Sequence, residues 1–401
     1  MAGRALRMPK AGLIVALGLV AAAQTAPLAA LPLLLEALDL GANELGLAIG
    51  TGLLTTIGLA PLAGRLADGA GHALAARCGL AIICVASGLF CGYTALVAAG
   101  AMTTEHAFAV TLAIRIVNGA GVAALHPAAQ AWLWAGEAPA AGTRLQGKAS
   151  AAQNAGRLFG PLAVALISGM GAVGILAVLV ATTCLALLFL VVLRGPAAAS
   201  TATPSPPFEA AYATPPGGPA WPLLLALLAL HLLGGGAQYI LGPLLLAKLG
   251  LEVVQATRWT GGLMTMAATA AIAGNLSSHR FAEQWRPAAG AGLAMIGTLI
   301  LAPFANLFVV AAGISMLAAG IGIAVPSAMA ALMQGAPASS RGRIASRTAA
   351  IQATAYAAAA PMCGILVAGA PSLAAASLIL PAVAALLLLI AARRREAGQG
   401  P

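Results

Sequence analysis

From Ala11 to Leu35 the chain carries no charged side chain. A helix needs about 20 apolar residues to cross the hydrocarbon core of a bilayer, and this run supplies them. It is too long for the core of a signal peptide and reads as a first membrane helix. Comparable stretches begin near Glu44, Leu74, His106, Leu145 and Gly171, and again near Trp221, Thr257, Pro287, Leu307, Ile344 and Ser372. Together they make twelve spans. The runs are continuous rather than alternating, so they predict helices and not the short strands of a barrel. Composition excludes the soluble alternative: 61% of the 401 residues are hydrophobic and only 7% charged, with mean hydropathy +0.97. A soluble domain carries about 25% charged residues. The abundant small residues suit close packing of helices in lipid.

Between spans six and seven lies GPAAASTATPSPPFEAAYATPPGGPA, Gly195 to Ala220, which breaks any helix and reads as a linker. The expected organisation is a six-helix bundle over 1–194, a linker over 195–220, and a second six-helix bundle over 221–401 ending in a short basic tail. Of the 20 Lys and Arg, 16 fall on the side of the termini and linker. Only Lys248 and Arg258 fall on the other, while Arg115 and Arg157 lie inside spans. The positive-inside rule then places both termini in the cytoplasm of a multi-pass protein of the cell (inner) membrane. The net charge of +10 is dispersed over helix ends and forms no aromatic-laced stripe, which excludes a nucleic-acid partner. The five cysteines make no C-x-x-C pair, and no metal or other cofactor is implied.

The halves echo one another. KASAAQNAGRLFGP (Lys148 to Pro161) matches RTAAIQATAYAAAAP (Arg347 to Pro361), and GRLADGAGH (Gly64 to His72) has a weaker counterpart in GNLSSHR (Gly274 to Arg280). GRLADGAGH resembles the first cytoplasmic loop of the major facilitator superfamily. Gly64, Leu66, Ala67, Asp68 and Gly71 fit its signature, and Gly69, His72 and Ala73 stand where basic residues are usual. RIVNGAGVAA, from Arg115, resembles the span-four signature. GRLFGP resembles the span-five signature of the proton-driven drug exporters, with Val164 and Ala165 in place of its later glycines. The resemblance implies an all-α fold of two six-helix pseudo-repeats. It also implies a conformational latch at Gly64, Asp68, Gly71 and Arg77, and a hinge in span five at Gly156, Gly160 and Pro161. By chemistry alone Gly64 and Gly71 permit a tight turn, and Gly156 and Gly160 permit close helix packing.

A basic side chain at mid-span is costly and normally faces a cavity or a partner. At about 100° per residue Asn118, Val122 and His126 share the face of Arg115. Gln153 and Asn154 share the face of Arg157. All ten acids fall toward one side of the membrane or the other, Glu36 lying nearest the interior, at the outer end of span one. Cations without internal acids point to an electropositive cavity and a carboxylate-bearing substrate, which arginine recognises well; the bland alternative is that each arginine bonds backbone, Gln or Asn. Uncharged polar groups extend the candidate substrate site: Gln24 in span one, His231, Gln238 and Tyr239 in span seven, Gln352 and Tyr356 in span eleven. These form an expected polar seam between the halves. Candidate proton carriers are His126, His231 and Glu36.

The expected function is secondary active transport by alternating access. The expected cargo is a small organic molecule, anionic and of the carboxylate-siderophore kind, or a drug, exported by a monomeric antiporter with possible proton coupling. Uptake of an organic anion is the rival within transport, and a membrane sensor or scaffold the rival outside it. Enzyme chemistry has no support, since no Ser–His–Asp set or H-E-x-x-H run is present.

Overall fold

The computed structural model describes residues 8–135, 137, 139–192, 221–334 and 341–398. The linker and the first seven residues lie outside these, as does the side chain of Asp68. Among the described residues there are twelve long helices. The first, α1, has two segments, Met8–Ala29 and Leu31–Leu38. Then come α2 (Ala42–Ala70), α3 (His72–Ala98), α4 (Ala107–Trp134), α5 (Pro139–Ile167) and α6 (Gly171–Val192). The second set is α7 (Trp221–Ala247), α8 (Val253–Ser277), α9 (Arg286–Leu301), α10 (Leu307–Gln334), α11 (Arg341–Gly369) and α12 (Ile379–Gly398). Helix is the form that satisfies every backbone N–H and C=O within one segment, which lipid demands. Nine helical stretches among the described residues are long and apolar enough to cross a membrane, and one of them, Arg144–Val192, runs through both α5 and α6. The break in α1 at Ala30 sits between Pro27 and Pro32, each of which removes a helix N–H.

The internal repeat is visible in the prolines. Pro127 and Pro326 fall within a residue of the same place in α4 and α10, both 28 residues long. Pro161 and Pro361 fall within two residues of the same place in α5 and α11, both 29 residues long.

The chain forms two compact units. The first gathers residues 8–40, 51–192 and Val253–Gly262. Within it α1 packs on α5 and α6, and α3 packs on α4 and α6. The second gathers Gly41–Gly50, 221–252 and the described residues from 263 onward. There α7 packs on α11 and α12, and α9 packs on α10 and α12. The two pairing schemes are the same, helix for helix.

Small residues set these pairings. A Cβ at Gly156 would stand 2.0 Å from the Gly18 carbonyl oxygen, and one at Gly160 would stand 2.4 Å from that of Ala22. Gly156-x-x-x-Gly160 is therefore a contact stripe that brings α5 against α1 backbone to backbone. Gly79 and Gly121 do the same for α3 and α4, and Gly290 and Gly320 for α9 and α10. In the second unit Gly46 and Gly50, the first turns of α2, lie against Ala360 and Ala357 of α11. Leu13, Leu17, Leu80, Ile83 and Leu125 fill the core of the first unit, and Leu227, Leu230, Ala324 and Leu389 that of the second.

The turn after α2 corrects one expectation. Gly64 lies inside α2 with no heavy atom near its Cβ position, so it forms no turn. Gly71 alone makes the reversal, at φ +93, a conformation other residues strain to adopt.

Candidate functional site

The first unit presents its polar groups on α4 and α5. Because Gly156 and Gly160 turn one face of α5 onto α1, Gln153 and Arg157 emerge on its flank, and Asn154 further round. Arg157 and Asn154 are exposed and Gln153 is half-buried. Arg157 makes no hydrogen bond or ion pair among the described residues. Its neighbour Gly156 packs at the level of Gly18 and Ala22, eight to twelve residues beyond Lys10 in α1. At about 1.5 Å per residue that places Arg157 about 12–18 Å from the Lys10 end, in the middle of the span. An exposed guanidinium at this depth belongs in a water-filled cavity, because hydrocarbon rejects it. His126, half-buried on α4, lies within electrostatic reach of Arg157.

The face of α4 read from the sequence is divided by the fold. Toward its N-terminal end Arg115 is half-buried, and its backbone and Cβ pack against Gly52 of α2. Thr56 of α2 donates to the Gly119 carbonyl at 3.0 Å, and this clamp was not foreseen. Asn118 is half-buried, and Val122 packs into the core. The His126 end lies within electrostatic reach of Arg157. Gln24 shares a stripe with Leu13, Leu17 and Val20, core residues of α1, and lies off the Gly18–Ala22 face that meets α5.

In the second unit His231 of α7 and Tyr356 of α11 come together, their ring centroids 6.1 Å apart. Tyr356 fits against Gly235, where a Cβ would stand 2.8 Å from its ring. Gln238 and Gln352 are half-buried one or two turns away on the same helices. Tyr239 is buried, and its hydroxyl donates to the Ala42 carbonyl, bracing α7 on the start of α2. Arg157 and Tyr356 occupy equivalent repeat positions, each nine residues after the basic residue and four after the glutamine. The repeat thus carries a cation in the first unit and a neutral phenol in the second.

The remaining expectations fall elsewhere. Arg77 donates from Nε to the Leu190 carbonyl at 3.0 Å and lies over the Trp132 ring, so it ties α3 to α6 and α4. Glu36 is exposed on the second segment of α1. Pro161 packs its carbonyl on Gly261 of α8, where a Cβ would come within 2.5 Å. Sequence reasoning missed Lys10, which is 8% exposed. Its ammonium donates to the Leu133 and Ala135 carbonyls and pairs with Glu137 Oε1 at 2.7 Å. The signal was a lone cation at the edge of an apolar run, opposite the only acid between spans four and five.

A helical, multi-pass fold with a repeated six-helix plan and a cation exposed at mid-span defines a membrane transporter. The chain belongs to the Major Facilitator Superfamily, whose model matches residues 13–360. No curated protein sequence matches it. Among solved structures, a bacterial homolog to the human lysosomal transporter Spinster, inward-facing and occupied, is 17% identical with TM-score 0.71, over 96% of this chain and 94% of that one. A D-xylose–proton symporter is 15% identical with TM-score 0.72, over 95% and 96%. A human organic anion transporter is 17% identical with TM-score 0.66, over 96% and 99%. At these identities the likeness is one of fold. Members of this family are transporters and not enzymes.

Proposed function

We propose that this protein is a secondary active transporter that exports a small organic anion, in exchange for protons, from a cell whose inner membrane it spans as a monomer. In this reading both termini and the linker are cytoplasmic, and the chain divides at 195–220 into its two bundles. The observation that carries the proposal is Arg157: a permanent cation exposed at mid-span, beside His126 and without an acidic partner among the described residues. Such a group needs an anion or water against it. A carboxylate-bearing metabolite, of the siderophore kind or an acidic drug, supplies the anion and accepts two parallel N–H bonds from the guanidinium. His126 and His231 carry imidazoles that can take up and release a proton and are the candidate proton carriers, with Glu36 as a further candidate.

The test is a comparison of medium and cells with and without the gene. Deletion should retain an organic anion in the cell and deplete it from the medium. Depletion of a cation or a neutral sugar from the medium would overturn the anionic reading. Accumulation of the anion in the medium on deletion would mean uptake instead.

A further inference from the structure

The second unit holds a cavity of about 710 Å³ that the transport reading does not use. It opens where α7 begins, α8 runs into α9, and α10 and α12 end. Arg286, Arg393, Glu283, Gln284, Ser327 and Gln334 give it a polar lining, and Leu223, Pro326 and Leu389 an apolar one. From this cavity we infer a binding site for the phosphate headgroup of an anionic phospholipid.

The arginines are held by their stems and show their tips. Arg286 donates from Nε to the Phe281 carbonyl at 2.9 Å, and its terminal nitrogens make no hydrogen bond among the described residues. Arg393 lies over the Trp285 ring. Stacking uses the face of the guanidinium and leaves its edge N–H groups for an anion. The one acid among the described lining residues, Glu283, receives an N–H from Gln334 at 3.3 Å. Two cations against one engaged carboxylate leave the cavity positive.

The surroundings choose the ligand. Trp221, Phe281 and Trp285 are exposed at the same end of the unit, 51%, 39% and 47% respectively. Exposed aromatic rings at helix ends mark the headgroup level of a bilayer. A phosphate fixed on a glycerol lipid reaches the arginines from that level, and its acyl chains lie along Leu223. Basic pockets between membrane helices take such headgroups. The volume lies within the range of small-molecule pockets.

The experiment uses full-length protein stripped of lipid in neutral detergent. Phosphatidylglycerol, phosphatidylcholine or inorganic phosphate is added, and bound copies are counted by intact-complex mass spectrometry beside thermal unfolding. Wild type should prefer phosphatidylglycerol by about thirty-fold, the size of effect two arginines supply near an anionic headgroup. The Arg286→Gln/Arg393→Gln variant should lose that preference, and Arg286→Lys/Arg393→Lys should keep part of it. Equal binding of the two lipids by wild type would overturn the proposal, whether or not the glutamine variant folds. So would a folded glutamine variant that keeps the preference. Stabilisation by inorganic phosphate equal to that by phosphatidylglycerol would make this a free-anion pocket and overturn the lipid assignment.

Discussion

Lys10 illustrates how a charge is made tolerable at the end of a span. Its ammonium has three acceptors, two of them carbonyls at the open C-terminal end of α4, where the helix dipole also favours a cation. Glu137→Ala removes the one counter-charge that Lys10 has among the described residues, while the ammonium stays buried. We expect a loss of about 2 kcal/mol, in the range for a charged hydrogen bond lost in a buried place, read as earlier thermal unfolding in detergent. Glu137→Gln should lose less, because one acceptor remains. His126 poses the opposite case, a neutral or charged ring beside a fixed cation. If it carries the coupled proton, His126→Gln will abolish the response of transport to an imposed pH gradient and leave counterflow of substrate intact. Loss of both together would assign it to binding. Residues of this kind were half legible. Helical register puts Arg115, Asn118 and His126 on one face, and register is local. That Arg115 packs on Gly52, Val122 enters the core and His126 comes within electrostatic reach of Arg157 depends on which helix lies opposite, and no local pattern states that.

At the scale of helices, glycine position decides which pairs touch. Gly156→Ala should separate α1 from α5, since its Cβ would overlap the Gly18 carbonyl. Overpacking of this sort costs about 1–3 kcal/mol. Gly64→Ala meets open space within a helix and should be neutral or stabilising by up to about 1 kcal/mol in intrinsic helix propensity. The contrast can be measured by thermal unfolding of the two variants in one detergent. A motif-bearing Gly64 that proves intolerant of alanine in transport while stable would place its role in conformational change. The long apolar runs made the helices readable because lipid leaves the backbone no other form. The Gly46 and Gly50 stripe escaped notice, although its spacing equals that of Gly156 and Gly160, because nothing in α2 announces α11 as its partner.

For the molecule as a whole, repetition with divergence is the organising fact. The same helix pairs recur in both units, with prolines in matching places, while Arg157 in one and Tyr356 in the other hold the same repeat position. Charge has been kept in the first unit and aromatic polarity in the second. The central claim is that the Arg157 cation receives the cargo. Its most direct test is flux of the anion identified from the medium, measured in proteoliposomes with wild type, Arg157→Lys and Arg157→Ala inserted to equal density. Losing a charge-assisted bidentate pair should slow Arg157→Ala at least about tenfold, with Arg157→Lys between. Full-rate transport by Arg157→Ala would contradict the account.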